Sequence, residues 1–284
     1  HFIDYVAGLY LFHDHLAYHI NLTIGEGATR NWPANTGGGG LMHIGDTNTV
    51  NYAQHTNSAA GYGQVTLNIT DDLRAIGGLR YSYDAKGSTI EATLSNIAGN
   101  TVSGPAMKQY APGALAGSIS SNSLTYMYGG QYDILPDVMG YFTISTGFKD
   151  GGFNSRSATA TPFAFNPETS SNYEIGAKTA WFDNKVVLNL DFYHMLVHGY
   201  QQSTLLPTGV GFVISNAGNF RTNGVEVDLQ AKPIDPLTLT GGLGYADSVI
   251  TRGDDLAPCD MSYPYAGSQL PPSSGPFTDA THKY

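Results

Sequence analysis

Only one cysteine, Cys259, occurs in 284 residues. No disulfide can therefore close within the chain, and a zinc site built from several thiolates is excluded. Charge is scarce too: 13% of residues are charged, about half the share of an ordinary soluble domain. The basic side is the scarcer, with 13 Lys and Arg against 23 Asp and Glu and a net charge of −10. That balance argues against nucleic acid as a partner, because phosphate binding needs clustered Lys and Arg. No stretch approaches the roughly 20 apolar residues of a membrane-spanning helix. The mean hydropathy of −0.17 does not exclude a membrane barrel, whose strands are apolar only at alternate positions. The first residues, His1 to Asp4, are neither basic nor followed by a cleavable apolar core. Either the mature chain starts there or the sequence is partial. Catalytic signatures are missing as well: there is no Gly-x-Ser-x-Gly elbow, no phosphate loop with Lys and no His-Glu-x-x-His. Neither an enzyme nor a bound cofactor is expected.

What the chain has instead is glycine, 35 residues, and tyrosine, 19 residues, together with strict alternation. Over 73–86 one face reads Leu73, Ala75, Gly77, Leu79, Tyr81, Tyr83 and the other Arg74, Ile76, Gly78, Arg80, Ser82, Asp84. Leu188, Leu190 and Phe192 oppose Asn189 and Asp191. Val225, Val227 and Leu229 oppose Glu226, Asp228 and Gln230, and Leu237, Leu239, Leu243 and Tyr245 repeat the pattern. Period two over about ten residues marks strands with one apolar and one polar face.

Tight polar turns are expected at His13 with Asp14, Asp71 with Asp72, Pro136 with Asp137, Asp183 with Asn184, and Asp235 with Pro236. Asp, Asn and Pro suit them through side-chain caps and a preset φ. Longer Gly/Ser/Asn/Thr-rich segments fall between, at roughly 25–57, 85–120, 150–170 and 200–211, with a tail from about 247. Short turns alternating with long loops are the pattern of an outer-membrane barrel, and about ten strands are counted. Tyr81, Tyr83, Tyr126, Tyr128, Tyr132, Tyr173 and Trp181 stand where an aromatic girdle would lie, apolar ring in lipid and polar tip in water. The rival is a Tyr-rich soluble sheet, such as a carbohydrate-binding sandwich.

From residue 58 onward the chain resembles the barrel of TonB-dependent outer-membrane receptors. The segment Ala59 to Gln64 followed by Gly77-Gly78-Leu79-Arg80-Tyr81 resembles the family's "GGLRY" strand. Residues 145–154, STGFKDGGFN, resemble its "GFKxGGFN". Pro167 and Glu168 with Tyr173-Glu174-Ile175-Gly176-Ala177-Lys178 resemble "PExxxxYEiGxK", and Asn216-Ala217-Gly218 with Gly224-Val225-Glu226 resemble "NAG…GvE". These blocks keep the family's order over most of the chain. The resemblance implies an all-β, antiparallel up-and-down transmembrane barrel, about ten strands of roughly 22 around a plugged lumen. Residues 1–284 are read as one partial barrel domain with no plug domain among them. Glu174 with Lys178, and Glu226 with Asp228, share faces, so charge pairs across the lumen wall are expected.

The resemblance further implies a receptor for a scarce, bulky nutrient such as a ferric siderophore. Its partners would be outer-membrane lipid, that small-molecule ligand, and the TonB inner-membrane energy-coupling complex acting through the plug. Ligand contacts are expected in 148–156 and 201–216, at Phe148, Lys149, Phe153, Asn154, Arg156, Gln201, Gln202 and Asn216. The alternatives are a passive porin-like barrel, or a structural or adhesive one without energy coupling. Histidines supply the remaining polar clusters: His13, His15 and His19 near the expected first turn, His43 and His55 with Met42 and Asp46 in a long loop, and His194 with His198 on one strand face. Solvated rim and loop histidines are favoured over a metal site, and none is assigned. The four glycines 37–40, with no Lys following, read as a flexible loop. Cys259 lies in a Pro-rich tail as a lone thiol; the family often pairs such a cysteine within its loop, and no partner is present.

Overall fold

The computed structural model describes residues 1–23, 45, 47–95, 113–155, 163–205 and 212–253. Among them all regular structure is strand. Nine long strands form one antiparallel sheet: β1 (Ile3–Thr23), β2 (Thr47–Asn68), β3 (Leu73–Ser95), β4 (Gly113–Leu135), β5 (Val138–Lys149), β8 (Glu168–Trp181), β9 (Val186–His198), β12 (Gly218–Ile234) and β13 (Leu237–Gly253). Each pairs with its neighbours in chain order. The two long connections that are described carry small hairpins, β6 (Gly152–Phe153) with β7 (Ala164–Phe165), and β10 (Gln201–Leu205) with β11 (Phe212–Asn216). β1 and β13 do not pair with each other. The sheet is an open wall.

Four of the five expected turns are where the sequence puts them. Thr70 Oγ1 accepts from the amides of Asp72 and Leu73, at 3.3 and 3.0 Å, to close the turn into β3. In the turn from β8 to β9, Phe182, Asp183 and Asn184 all take positive φ, of 56°, 55° and 62°. Asp and Asn visit that region readily; Phe182 does not. The fifth turn does not exist. His13 and Asp14 lie inside β1, paired with Asn57 and Thr56, so two expected strands are one. Period two continues unbroken through both residues, and alternation outweighs the local turn preference of Asp. The long strands also run into segments expected as loops, since β2 begins at Thr47, β3 ends at Ser95 and β4 begins at Gly113.

Register fixes the two faces. Across β1 to β4 the row Leu9, Gly61, Tyr81, Leu124 lies on one side, and Gly8, Tyr62, Arg80, Thr125 on the other. The first face carries the exposed apolar side chains, among them Leu9 at 88%, Leu11 at 82% and Leu243 at 73% exposed. A face of large exposed apolar side chains across nine strands is the lipid side of a membrane barrel. All seven girdle aromatics lie on it: Tyr132 and Trp181 close to the short turns, Tyr81, Tyr83, Tyr126, Tyr128 and Tyr173 higher up.

The inner face is polar and keeps its large rings flat over cross-strand glycines. Tyr141 lies over Gly176, where a Cβ would sit 2.7 Å from the ring, and Arg80 stacks on Tyr10 and Tyr62 at 5.3 and 5.9 Å. Near the short turns Arg74 grips Asp133 with both terminal nitrogens, at 2.8 and 2.5 Å. Beyond the girdle the polarity of the inner face reverses. There Val50, Tyr52, Ile90 and Ala92 form a buried apolar cluster, packed by Tyr18, Leu115 and Phe163.

Candidate functional site

The two hairpin-bearing connections meet at the long-loop end of the inner face. Asp150, just past β5, is the hub. Lys86 of β3 donates to Asp150 Oδ2 at 2.9 Å and to the Gly151 carbonyl at 2.7 Å. Ser121 Oγ of β4 donates to Asp150 Oδ1, which also accepts from the Gly151 amide at 2.8 Å. A charged pair with side chains only 18% and 17% exposed is costly unless its remaining lone pairs are satisfied, and here hydrogen bonds satisfy them. The chain leaving the wall at Asp150 is thereby tied back to β3 and β4.

From that anchor the first connection enters the apolar cluster. Phe153 is buried, with its ring 5.0 Å from that of Phe163, and Tyr18 Oη donates to the Ser155 carbonyl at 2.5 Å. Asn154 joins it to the second connection. Its amide donates to the Ile214 carbonyl at 3.0 Å and accepts from the Ile214 amide at 2.8 Å, so one side chain imitates a strand pairing. Gln201 adds a second joint: its side chain donates to the carbonyls of Asp150 and Asn166, at 2.8 and 3.0 Å, and its amide to Glu168 Oε2 at 2.7 Å. Asn216 adds a third, accepting from the Asn166 amide at 2.7 Å and donating to the carbonyls of Asn166 and Gly199, at 2.9 and 2.7 Å. The result is a polar bracket that locks β6–β7 and β10–β11 to each other and to the inner wall.

Of the residues expected to touch ligand, Phe153, Asn154, Gln201 and Asn216 thus come together, with their polar atoms turned to backbone groups of the bracket. Gln202 lies beside them in β10, opposite Ser215. Lys149 is exposed, 4.0 Å from Glu168. Phe148 stands apart, on the outer face with Phe142 and Ile144. Arg156 lies outside the described residues, as do Met42, His43, Asp46, the glycines 37–40 and Cys259. Sequence reasoning missed Lys86, Ser121 and Asp150. The available signal was Lys86 standing on the polar face of an alternating strand that outruns the bilayer.

Below the bracket the inner face of β8, β9 and β12 is acidic. Glu174, Asp191, Glu226 and Asp228 all face inward, with Asp191 directly across from Glu226. Glu174 accepts from Tyr141 Oη at 2.8 Å and from the Asn172 amide at 3.3 Å. Lys178 sits 5.7 Å over the Tyr141 ring. The expected sharing of the inner face by Glu174 with Lys178, and by Glu226 with Asp228, holds. Among the described residues, no group of three His, Cys, Asp or Glu side chains is placed to hold a metal ion.

An inner polar wall, an outer lipid band and loops folded inward over the lumen end define the architecture, and the family described as TonB dependent receptor-like, beta-barrel matches residues 5–275. The chain belongs to that family. It is therefore part of an outer-membrane barrel of a Gram-negative bacterium, in a family of receptors and transporters. A 138-residue stretch is 25% identical to the metal-pseudopaline receptor CntO of Pseudomonas aeruginosa, covering 49% of this chain and 18% of that protein. The ferric yersiniabactin uptake receptor FyuA from Yersinia pestis shares the fold with a TM-score of 0.64 at 18% identity, over 88% of this chain and 33% of that one. The siderophore receptor PiuA from Acinetobacter baumannii does so with a TM-score of 0.60 at 17% identity, over 88% and 36%. The chain spans about a third of the length of these solved receptors and under a fifth of the curated relative.

Proposed function

We propose that this wall belongs to an active-uptake receptor for a scarce, bulky nutrient, with a metal chelate of the ferric-siderophore type as its cargo. The observation that carries this reading is the bracket. Two connections are locked inward over the mouth of a polar lumen, which positions them to meet a ligand entering from outside. The relatives whose names specify metal-chelate cargo support the cargo class. In this reading residues 1–284 form a partial barrel domain, and a plug domain outside this stretch couples it to the TonB complex. Lys149 and Gln202 reach the ligand from the bracket's surface, while Phe153, Asn154, Gln201 and Asn216 hold the loops in position to receive it; Phe148, on the outer face, takes no part. Preorganised loops bind more tightly because less ordering remains to be done on binding.

The test is uptake. Cells whose only receptor is the one carrying this wall are given radiolabelled ferric siderophores under iron limitation, with and without a functional TonB complex. Accumulation that needs both the receptor and TonB is expected. Accumulation unchanged by loss of TonB would make the barrel a passive pore.

A further inference from the structure

Strand β3 carries three cations on its inner face, Arg74, Arg80 and Lys86, each six residues from the next. That spacing sets them about 20 Å apart along the strand. The first and last are held by carboxylates, Arg74 by Asp133 and Lys86 by Asp150. Arg80 is not. Its Nε donates to Ser82 Oγ at 3.0 Å, and among the described residues no acceptor meets Nη1 or Nη2.

Register shows that the wall itself supplies no counter-charge. The inner rows through Ser82, Arg80 and Gly78 hold no acidic residue on any of β1 to β4. Asp84, the next acid along β3, stands four residues further on, about 13 Å away. The acidic face of Glu174, Asp191, Glu226 and Asp228 begins on β8, three strands from β3, or about 14 Å across the sheet. Both gaps exceed the reach of an ion pair.

The guanidinium is nevertheless held in place. The ring centroids of Tyr10 and Tyr62 lie 5.3 and 5.9 Å from its carbon, within the range where an aromatic face attracts a cation. Tyr62 is fixed in turn by lying flat over Gly8, where any Cβ would collide with the ring. Two rings and Ser82 orient the fork and leave the edge between Nη1 and Nη2 uncommitted. Two parallel N–H groups on that edge match the two oxygens of a carboxylate. Thr125, directly across on β4, adds a hydroxyl beside them. Because the fork is already ordered, little freedom remains to be lost on binding. The bracket's hub at Lys86 lies six residues above, so an anion that passes the locked connections enters the part of the lumen that Arg80 lines.

We propose that Arg80, clamped by Tyr10 and Tyr62, is a binding station in the lumen for a carboxylate of the cargo, taken in a two-point grip below the bracket. The source of the carboxylate rests on the uptake reading; the grip rests on the geometry of Arg80. The intact receptor carrying this wall, plug included, is purified in detergent at low salt and dialysed against radiolabelled, metal-free citrate. A saturable site is expected, weakened about tenfold or more in Arg80→Gln, which removes the charge-assisted grip. Arg80→Lys keeps the charge without the fork and is expected to fall between the two. If Arg80→Gln does not insert, Arg80→Lys carries the comparison, and affinity equal to the parent's overturns the two-point grip. Unchanged citrate binding in Arg80→Gln overturns the proposal. So does a parent with no saturable site, because the fork would then already be held, as by a carboxylate of the plug. Dialysis needs no energy coupling, so a receptor that fails the uptake test can still pass this one.

Discussion

Up to the height of the upper tyrosines the wall wears its apolar side chains outward, at Leu9, Leu11, Leu79 and Leu124, and its polar ones inward, at Arg80 and Ser82. Above them the same strands do the reverse. His13, Asn57, His19, Asn51 and Glu91 face out, while Tyr52, Ile90, Ala92 and Leu115 are packed inside. Nothing in the backbone changes, because register runs without a break from Leu67 to Thr47 along β2. The partner of each face changes. Outside, lipid gives way to water; inside, a wet lumen gives way to the folded connections. In a strand the polarity of a face reports what covers it, and the crossover marks the membrane boundary.

The comparison can be broken from either half. Ile90→Ala removes the most buried large side chain of the upper cluster, at an expected cost of about 2–5 kcal/mol. Hydrogen exchange should show this in β2, β3 and the Phe153 segment while the lower strands stay protected. Equal loosening of the lower strands would mean the halves are not separate. Leu9→Arg, in the middle of the lipid band, is expected to cost about 2–4 kcal/mol of folding free energy, read from denaturant titration in vesicles.

Asn154→Ala removes both links to Ile214 and should weaken the bracket by about 1–3 kcal/mol. Faster proteolysis between the two hairpins is the readout, with barrel insertion unchanged. The smallest effect is expected from Ala17→Arg, on the same outer face as Leu9 but above the crossover. It should cost less than about 1 kcal/mol. A cost matching that of Leu9→Arg would place lipid along the full height of β1.

The lower half was legible in the sequence because both of its faces are written in it. Leu73 to Asp84 alternate with Ile76 as the one large apolar residue on the polar face, and Pro136, Asp137, Asp183 and Asn184 close turns by local chemistry alone. The upper half was harder to read. Past residue 85 the alternation persists with the faces exchanged, so a search for an apolar outer face sees only a mixed segment. His13 misled for the same reason, being a polar residue at the height where the outside of the wall becomes wet, and Asp14 beside it faces the polar inner side. The bracket is a different case. Gln201 and Asn216 stand in the expected binding segments, and their assembly depends on Asp150, Lys86 and Asn166, which tertiary contacts bring together from two connections and β3. Spacing along one chain does not encode such a meeting.

The central claim is that the lipid boundary crosses β1 between Leu11 and His15. Spin labels placed singly at Leu9, Leu11, His13, His15 and Ala17, in the receptor reconstituted in vesicles, report it through collision with oxygen, which favours lipid, and with a water-soluble nickel chelate. Leu9 and Leu11 are expected to favour oxygen, His13 to be intermediate, and His15 and Ala17 to favour nickel. A ratio that stays at the lipid value through Ala17, or at the water value from Leu9, would contradict the account.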